Sequence, residues 1–274
     1  MDPQPNSDSK PHMKKRALIT GASEGIGREF ARQLHARGYI LTLVARNETR
    51  LQELLAELGK QEHRILTSDL STEEGIQRVC REFENTHYSL LINNAGFGHY
   101  SDFHEAEHPI YDQMIMLNCT ALMRLSHAFL KQAHSGDALL NVASVLAHLP
   151  MAGSAVYNAT KAFVRSFSET LWYEQRSRGI FVMTLCPGIT KTEFFKRAGG
   201  DIDQTFPQLF TQNPRQVVSL ALSTLEKRSK PLVVSGVFNR WSIFMTRLLT
   251  TQALIHILGK IQSRKQKTKP TREK

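Results

Sequence analysis

The chain has 274 residues, 41% of them hydrophobic, enough for one large core and too few for two comfortable enzyme domains. Its formal charge is +10, but the segment from Gly259 onward holds seven basic residues against Glu273 and so carries +6 of it; the mildly basic body does not read as a nucleic-acid-binding fold. Cys80, Cys119 and Cys186 lie far apart with no CxxC spacing, which argues against a disulfide framework or a thiolate metal site and for a reducing, cytoplasmic setting.

Residues 1–13 are polar, bear prolines and lack an apolar run, so they are expected to form a disordered lead rather than a signal peptide. Apolar runs then alternate with segments of helical period: a strand at Ala17–Thr20, a helix at Gly25–Arg37, a strand at Tyr39–Ala45 and a helix at Glu48–Leu58. Further strands are expected near Arg64–Thr67, Leu90–Ile92, Ala138–Val142, Ile180–Leu185 and Leu232–Val234, with helices around 72–85, 107–134, 155–178 and 214–228. Seven strands alternating with helices imply a single doubly wound α/β domain over 14–236, its seven-stranded parallel sheet covered on both faces. Such sheets bind ligands beyond the carboxyl ends of their strands, which directs attention to the residues just after each apolar run.

Beyond that domain, Trp241, Ile243, Phe244, Met245, Leu248, Leu249, Leu254, Ile255, Ile257, Leu258 and Ile261 keep the i, i+3, i+4 rhythm of an amphipathic helix, expected over 237–262. A basic tail, 263–274, follows. An apolar helix face beside Lys and Arg suits peripheral attachment to an anionic membrane; the competing reading is a helix packed on the core or a second subunit, with a solvated tail. A membrane span is not expected, because Arg247 and several polar residues interrupt the most apolar stretch, Trp241–Leu258.

After the first strand comes Thr20-Gly21-Ala22-Ser23-Glu24-Gly25-Ile26-Gly27, leading into a helix. Glycines allow backbone amides to approach a pyrophosphate at a helix N-terminus, where the dipole favours anions. The spacing is G-x-x-x-G-x-G rather than G-x-G-x-x-G, and a plain strand-to-helix turn would look the same. At the end of the second strand, where an acidic side chain would bond the ribose of NAD, stand Ala45 and Arg46; an arginine suits a 2′-phosphate, though a solvated surface arginine is the simpler reading. Tyr157 and Lys161 are four apart on one predicted helix face, so an ammonium is expected to sit near the phenol and lower its pKa toward the working range of a general acid. Ser144 follows an apolar strand thirteen residues before the tyrosine.

Taken with Asp69-Leu70, the N-N-A-G at 93–96, Asn118 and the P-G-I-T-K-T at 187–192, these motifs make the chain resemble the short-chain dehydrogenase/reductase family from about Lys14 to Gly236. The resemblance implies a Rossmann-type, NADP(H)-dependent oxidoreductase. It also implies roles: Tyr157 protonates the developing alkoxide, Lys161 lowers its pKa and holds the nicotinamide ribose, Ser144 bonds the substrate carbonyl, and Asn118 supports a proton-relay water. Gly21, Ser23, Glu24, Gly25, Ile26, Gly27, Arg46, Asp69, Leu70, Asn93, Ala95, Gly96, Pro187, Gly188, Ile189 and Thr192 would line the cofactor, with Asp69 at the adenine, Asn93 and Gly96 on the adenosine side, and Ile189 and Thr192 at the carboxamide. Glu24 departs from the family pattern, since many NADP-preferring relatives carry a basic residue there; the phosphate preference rests on Arg46 and Ser23.

Phe97, Tyr100, Val145, Leu146, Leu149, Met151 and a segment holding Phe194, Phe195, Phe206, Pro207, Leu209 and Phe210 concentrate large apolar groups near the site. They suggest a hydrophobic carbonyl substrate, lipid- or steroid-like, with Phe97, Leu146 and Phe194 against it; ordinary core packing is the alternative. His104-Glu105-Ala106-Glu107-His108 spells H-E-x-x-H, but Pro109 is expected to keep His108 out of a helix, no third ligand is evident, and no metal is expected. Cys186 reads as a buried strand-end residue. Two rival functions stay open, a catalytically idle NADPH-binding sensor and a membrane or nucleic-acid adaptor working through the basic tail. A homodimer or homotetramer is compatible with everything above.

Overall fold

The computed structural model describes residues 15–59, 62–198, 211–246, 250, 252–256 and 259. The expected lead, the basic tail and the apolar residues at 206, 207, 209 and 210 lie outside them.

Seven parallel strands form one sheet in the order β3-β2-β1-β4-β5-β6-β7. They are β1 (Arg16–Thr20), β2 (Ile40–Ala45), β3 (Arg64–Thr67), β4 (Leu90–Asn93), β5 (Ala138–Val142), β6 (Phe181–Cys186) and β7 (Leu232–Val234). The order reverses between β1 and β4, where Ala17, Leu18 and Ile19 pair with Leu90, Leu91 and Ile92, and this opens a crevice at the carboxyl ends of the two strands. β2, β4, β5 and β6 are buried along their whole length, as continuous apolar runs require in a sheet covered on both faces.

The helices are α1 (Gly25–His35), α2 (Glu48–Leu58), α3 (Glu73–Cys80), α4 (Glu82–Asn85), α5 (His108–Ile115), α6 (Leu122–Gln132), α7 (Ala155–Glu174), α8 (Glu193–Arg197), α9 (Pro214–Lys227) and α10 (Val237–Thr246). Starts are capped locally: Asn47 Oδ1 accepts from Arg50 N at 2.9 Å, Thr72 Oγ1 from Gly75 N at 3.1 Å, and Asn213 Oδ1 from Arg215 N at 2.9 Å beside Pro214. α1 and α9 bury Phe30, Leu34, Val217, Val218 and Leu222 against one sheet face, and α3, α4 and α6 bury Ile76, Val79, Phe83, Leu125 and Phe129 against the other. Burying each such side chain contributes about 1.5–3 kcal/mol.

Several expected helices are modified. The stretch 72–85 is two helices meeting at Arg81, and the expected helix at 155–178 ends at Glu174, followed by a 3₁₀ turn. The stretch 107–134 carries a π-helical segment at Met116–Ala121 between α5 and α6. Such widened turns have no clear periodic signature in sequence and recur at functional sites. His108 opens α5 with Pro109 in its first turn, so the proline starts that helix rather than keeping His108 out of it; a missing N–H costs nothing there. The helix expected over 237–262 is not continuous: α10 ends at Thr246, residue 250 is not helical, and Thr250 Oγ1 accepts from Ala253 N to open a new turn at 252–256.

A polar chain crosses the centre of the sheet. Asn93 Nδ2 on β4 donates to Asn141 Oδ1 on β5 at 2.9 Å and to Ser126 Oγ at 3.0 Å, and Asn141 Nδ2 donates to Ser168 Oγ on α7 at 2.9 Å. It ties α6 and α7 to the strands whose ends carry the site. Asn141→Ala, which strands buried partners, is expected to lower the unfolding free energy by about 1–3 kcal/mol in a urea titration.

Candidate active site

The glycine turn sits at the end of β1. Gly21 and Gly25 have positive φ, and a Cβ on Gly27 would collide with the Gly21 carbonyl oxygen and the Asn94 amide, so only glycine closes this turn so tightly. Glu24 at the head of α1 makes no side-chain cap bond, and the first turn has no acidic residue. The helix dipole therefore meets no opposing carboxylate inside that turn, and a diphosphate fits the cradle. Ser23 lies half-buried in the turn, and Ile26 packs on the core.

The N-N-A-G segment is bolted to this turn. Thr20 Oγ1 accepts from Asn94 N and Ala95 N, both at 3.0 Å, while Asn94 Nδ2 donates to the Thr20 and Gly21 carbonyls at 3.0 and 3.2 Å. Asn94 was missed in the sequence, where only its dipeptide with Asn93 was visible. The Asn93 side-chain amide is buried in the network beneath the sheet ends. The Leu70 side chain is likewise core.

Arg46, exposed after β2, reaches Asp69 at 3.8 Å across a cleft of about 420 Å³ lined also by Thr67, Ser68, Thr72 and Arg78. Burial pushes the Asp69 carboxyl upward, but hydrogen bonds from the Ser71 hydroxyl and amide, with Arg46 nearby, outweigh it and hold the group below its ordinary value. Glu24 accepts from Arg50 at 2.6 Å and from Arg197, so its charge is neutralised by ion pairs.

Ser144, Tyr157, Lys161 and Asn118 converge beyond β4 and β5. The π-helical turn aims Asn118 inward, where Oδ1 accepts from Phe97 N at 3.1 Å and Nδ2 donates to Phe97 O at 2.9 Å and to Thr160 Oγ1 at 3.1 Å. Lys161 is buried with Nζ donating to Val142 O at 3.0 Å and standing 5.7 Å from the Tyr157 ring centroid. A Cβ on Gly96 would lie 2.9 Å from Asn118 Oδ1 and 3.4 Å from Lys161 Nζ, so that glycine leaves room for both.

Burial lowers Lys161 to about 8, so the ammonium is lost only on the alkaline side of neutrality. The Tyr157 phenol shifts upward, opposite to the net direction expected beside an ammonium. Burial pushes Tyr157 strongly upward, the neighbouring Tyr100 adds to the rise, and the hydrogen bond with Ser144 opposes it only in part. The Lys161 ammonium faces the ring and the Val142 carbonyl.

Around the phenol stand aromatic groups: Phe194 at 5.8 Å and Tyr100 at 6.3 Å between ring centroids, with Phe195 at 5.4 Å from Tyr100. Phe97, Leu146 and Phe194 pack on the cluster formed by Tyr111, Met114 and Tyr157. From the far side of the sequence, Thr192 opens α8 and rests its methyl against Gly25, and the Pro187 carbonyl accepts from Val145 N at 3.0 Å. Ile189 O accepts from Gln212 N at 2.8 Å, and Gly188 packs against Asn239. These contacts bring the 187–192 loop to both the glycine turn and Ser144.

Cys186 is fully buried and pushed up to about 12 by burial, which makes it a poor nucleophile. His104 lies in a turn and His108 on α5, so they do not share a helical face; His108 Nδ1 bonds Asp112 instead. One histidine grouping had no spacing to reveal it: His87, His134 and Asp137, whose candidate ligand atoms lie within 4.8 Å of one another at the amino ends of β4 and β5, opposite the site.

A doubly wound sheet whose strand ends carry a glycine cradle, a buried Tyr–Lys pair and a serine defines a dinucleotide-dependent oxidoreductase acting on CH–OH or C=O groups. The short chain dehydrogenase family model matches residues 15–202, more than half of the chain, and the protein belongs to that family of NAD(P)-dependent enzymes. It is 26% identical over 247 residues to the very-long-chain 3-oxoacyl-CoA reductase of Rattus norvegicus, covering 86% of this chain and 79% of that one. It is 35% identical over 204 residues to sulfoacetaldehyde reductase 2 of Chromohalobacter salexigens, covering 69% and 78%. A solved short-chain dehydrogenase from Sphingobium yanoikuyae in complex with NADPH superposes with TM-score 0.76 at 28% identity, covering 95% of this chain and 98% of that one.

Proposed function

We propose that the protein reduces a hydrophobic ketone or aldehyde with NADPH, using Tyr157 as the proton donor. The carrying observation is the buried convergence of the Tyr157 phenol with the Ser144 hydroxyl and the Lys161 ammonium beyond the strand ends, which would give one substrate oxygen both a hydrogen-bond donor and a proton donor. When bound in the glycine cradle, a nicotinamide dinucleotide would supply the hydride. Ser144 donates a hydrogen bond to the carbonyl oxygen, and Tyr157 gives that oxygen its proton. Lys161 holds positive charge beside the phenol and would bond the ribose of a bound dinucleotide, and Asn118, anchored to Phe97, would support a water that returns the proton.

Arg46, with no carboxylate before it, supports a 2′-phosphate and hence NADP(H). Arg46→Asp is expected to narrow or reverse an initial preference for NADPH in kcat/KM; equal or better values with NADH in the unaltered enzyme refute the assignment.

Tyr157→Phe is expected to lower kcat by roughly 10²–10⁴ with NADPH affinity largely retained. In the unaltered enzyme, reductive kcat/KM should fall as pH rises through about 8, where Lys161 loses its charge, while the phenol stays protonated. Near-normal turnover by Tyr157→Phe removes the mechanism.

The ring wall of Tyr100, Phe97, Leu146 and Phe194 supports an apolar substrate, in keeping with the long acyl chain named in the Rattus norvegicus relative; sulfoacetaldehyde is the polar counter-example among relatives. A panel running from sulfoacetaldehyde and sugars to long-chain 3-oxoacyl thioesters and steroid ketones, followed by NADPH absorbance, is expected to give the highest kcat/KM with the apolar members. A polar winner overturns the substrate class, and no turnover at all restores the idle, NADPH-binding alternative.

A further inference from the structure

At the amino ends of β4 and β5, opposite Tyr157, three side chains meet that the reaction does not use. His87 Nε2 donates to Asp137 Oδ2 at 2.8 Å, and the rings of His87 and His134 stand 4.8 Å apart between centroids, tilted by 58°. Ligand-type atoms of all three residues lie within 4.8 Å of one another. Asp137 is 5% exposed, whereas both imidazoles reach solvent. A buried carboxylate beneath two exposed imidazoles leaves an open side through which a dissolved ion can enter.

The segments that carry these side chains are held by bonds of their own. Gln132, the last residue of α6, accepts from Tyr88 N at 3.4 Å and donates to Tyr88 O at 3.2 Å, which pins the residue after His87 next to the turn that holds His134. In that turn, Gly136 at φ +101° donates to Gly179 O at 3.1 Å, and Asp137 O accepts from Phe181 N at 3.0 Å. Arg228 donates to the carbonyls of Gly136, Asp137 and Gly179, so it grips the backbone of the turn and leaves the carboxylate to the histidines. His134 N donates to Asp137 Oδ2 at 2.7 Å and fixes that carboxylate. The backbone positions of all three residues are therefore set before any ion arrives.

The donor set selects the ion. Two imidazoles and one carboxylate suit zinc and match poorly the all-oxygen shells of magnesium and calcium. Tetrahedral zinc with ligands at about 2.0–2.2 Å places them roughly 3.3–3.5 Å apart. The His87–Asp137 pair is already closer than that, and turning the exposed His134 ring about its side-chain bonds closes the rest without moving the backbone. Neutral His87 frees its Nε2 lone pair by carrying its proton on Nδ1 instead, and water completes the shell.

We propose that His87, His134 and Asp137 form a three-ligand Zn²⁺ site that clamps the segment before β4 to the turn before β5. Because it lies at the other end of the strands from Tyr157, the ion acts on stability, and the inference does not depend on the substrate or the cofactor.

The untagged full chain, dialysed against EDTA and then against metal-free buffer, is titrated with zinc chloride by calorimetry and thermal unfolding. One tight equivalent of zinc per chain is expected, and free zinc at about 100 times its Kd should raise the melting temperature by about 5–10 °C, with no rise from magnesium. His134→Ala removes an exposed ring and keeps the backbone bonds, so its metal-free melting temperature should match that of the unaltered chain while its zinc affinity falls about tenfold or more. His127→Ala, an exposed position on α6, should bind zinc as the unaltered chain does. Should His134→Ala fail to fold, paramagnetic shifts of the His87 and His134 ring signals on adding cobalt(II) to the unaltered chain provide the independent measure. The absence of a tight equivalent, unchanged affinity in His134→Ala, an equal loss in His127→Ala, or ring signals unmoved by cobalt would each overturn the proposal.

Discussion

The ammonium of Lys161 is buried at the carboxyl end of β5, and the site is arranged around that charge. An unpaired cation in a protein interior costs several kcal/mol, so its surroundings must hold it. The Val142 carbonyl accepts from it, the bare backbone of Gly96 lets it approach the N-N-A-G turn, and the π-helical turn sets Asn118 on the other side of that glycine. Because the same turn is bolted through Asn94 to the glycine cradle after β1, the charge and the diphosphate cradle are fixed relative to one another.

The same burial that depresses Lys161 raises Tyr157. A dry pocket penalises whichever form of a group is charged, so lysine moves toward neutrality and the phenol away from ionisation. Tyr100 and Phe194 contribute to that dryness, as does Phe97 from the N-N-A-G side. The aromatic wall beside Tyr157 is therefore part of what keeps water from the phenol.

Much of the site's precision comes from parts that are not chemically active. The Asn93–Asn141–Ser168 chain has no access to a ligand, yet it ties β4 and β5 to α7, which carries Tyr157 and Lys161. The contact of Thr192 with Gly25 closes the 187–192 loop over the glycine turn, and Glu24, ion-paired to Arg197, joins α8 to the same turn. Two segments about 165 residues apart thus meet around one cradle.

The sequence by itself marked the seven strands and their parallel character, because short apolar runs alternating with segments of helical period imply a sheet covered on both faces, a burial that β2 and β6 show along their whole length. It also marked the glycine turn, Ser144 and the Tyr157–Lys161 spacing, since local backbone conformation and helical period are written in neighbouring residues. Tertiary structure decided what neighbours cannot encode. Asn93 and Asn94 are adjacent and polar, but the pleat of β4 and the tie to Thr20 commit one to the core and the other to the turn. The phenol's direction of shift depends on how many aromatic groups from distant segments exclude water from it, a property of packing rather than of the four-residue spacing. The apolar rhythm after Trp241 was legible as an amphipathic helix, whereas the face it turns outward was fixed only by where Asn239 and Ile243 meet the domain.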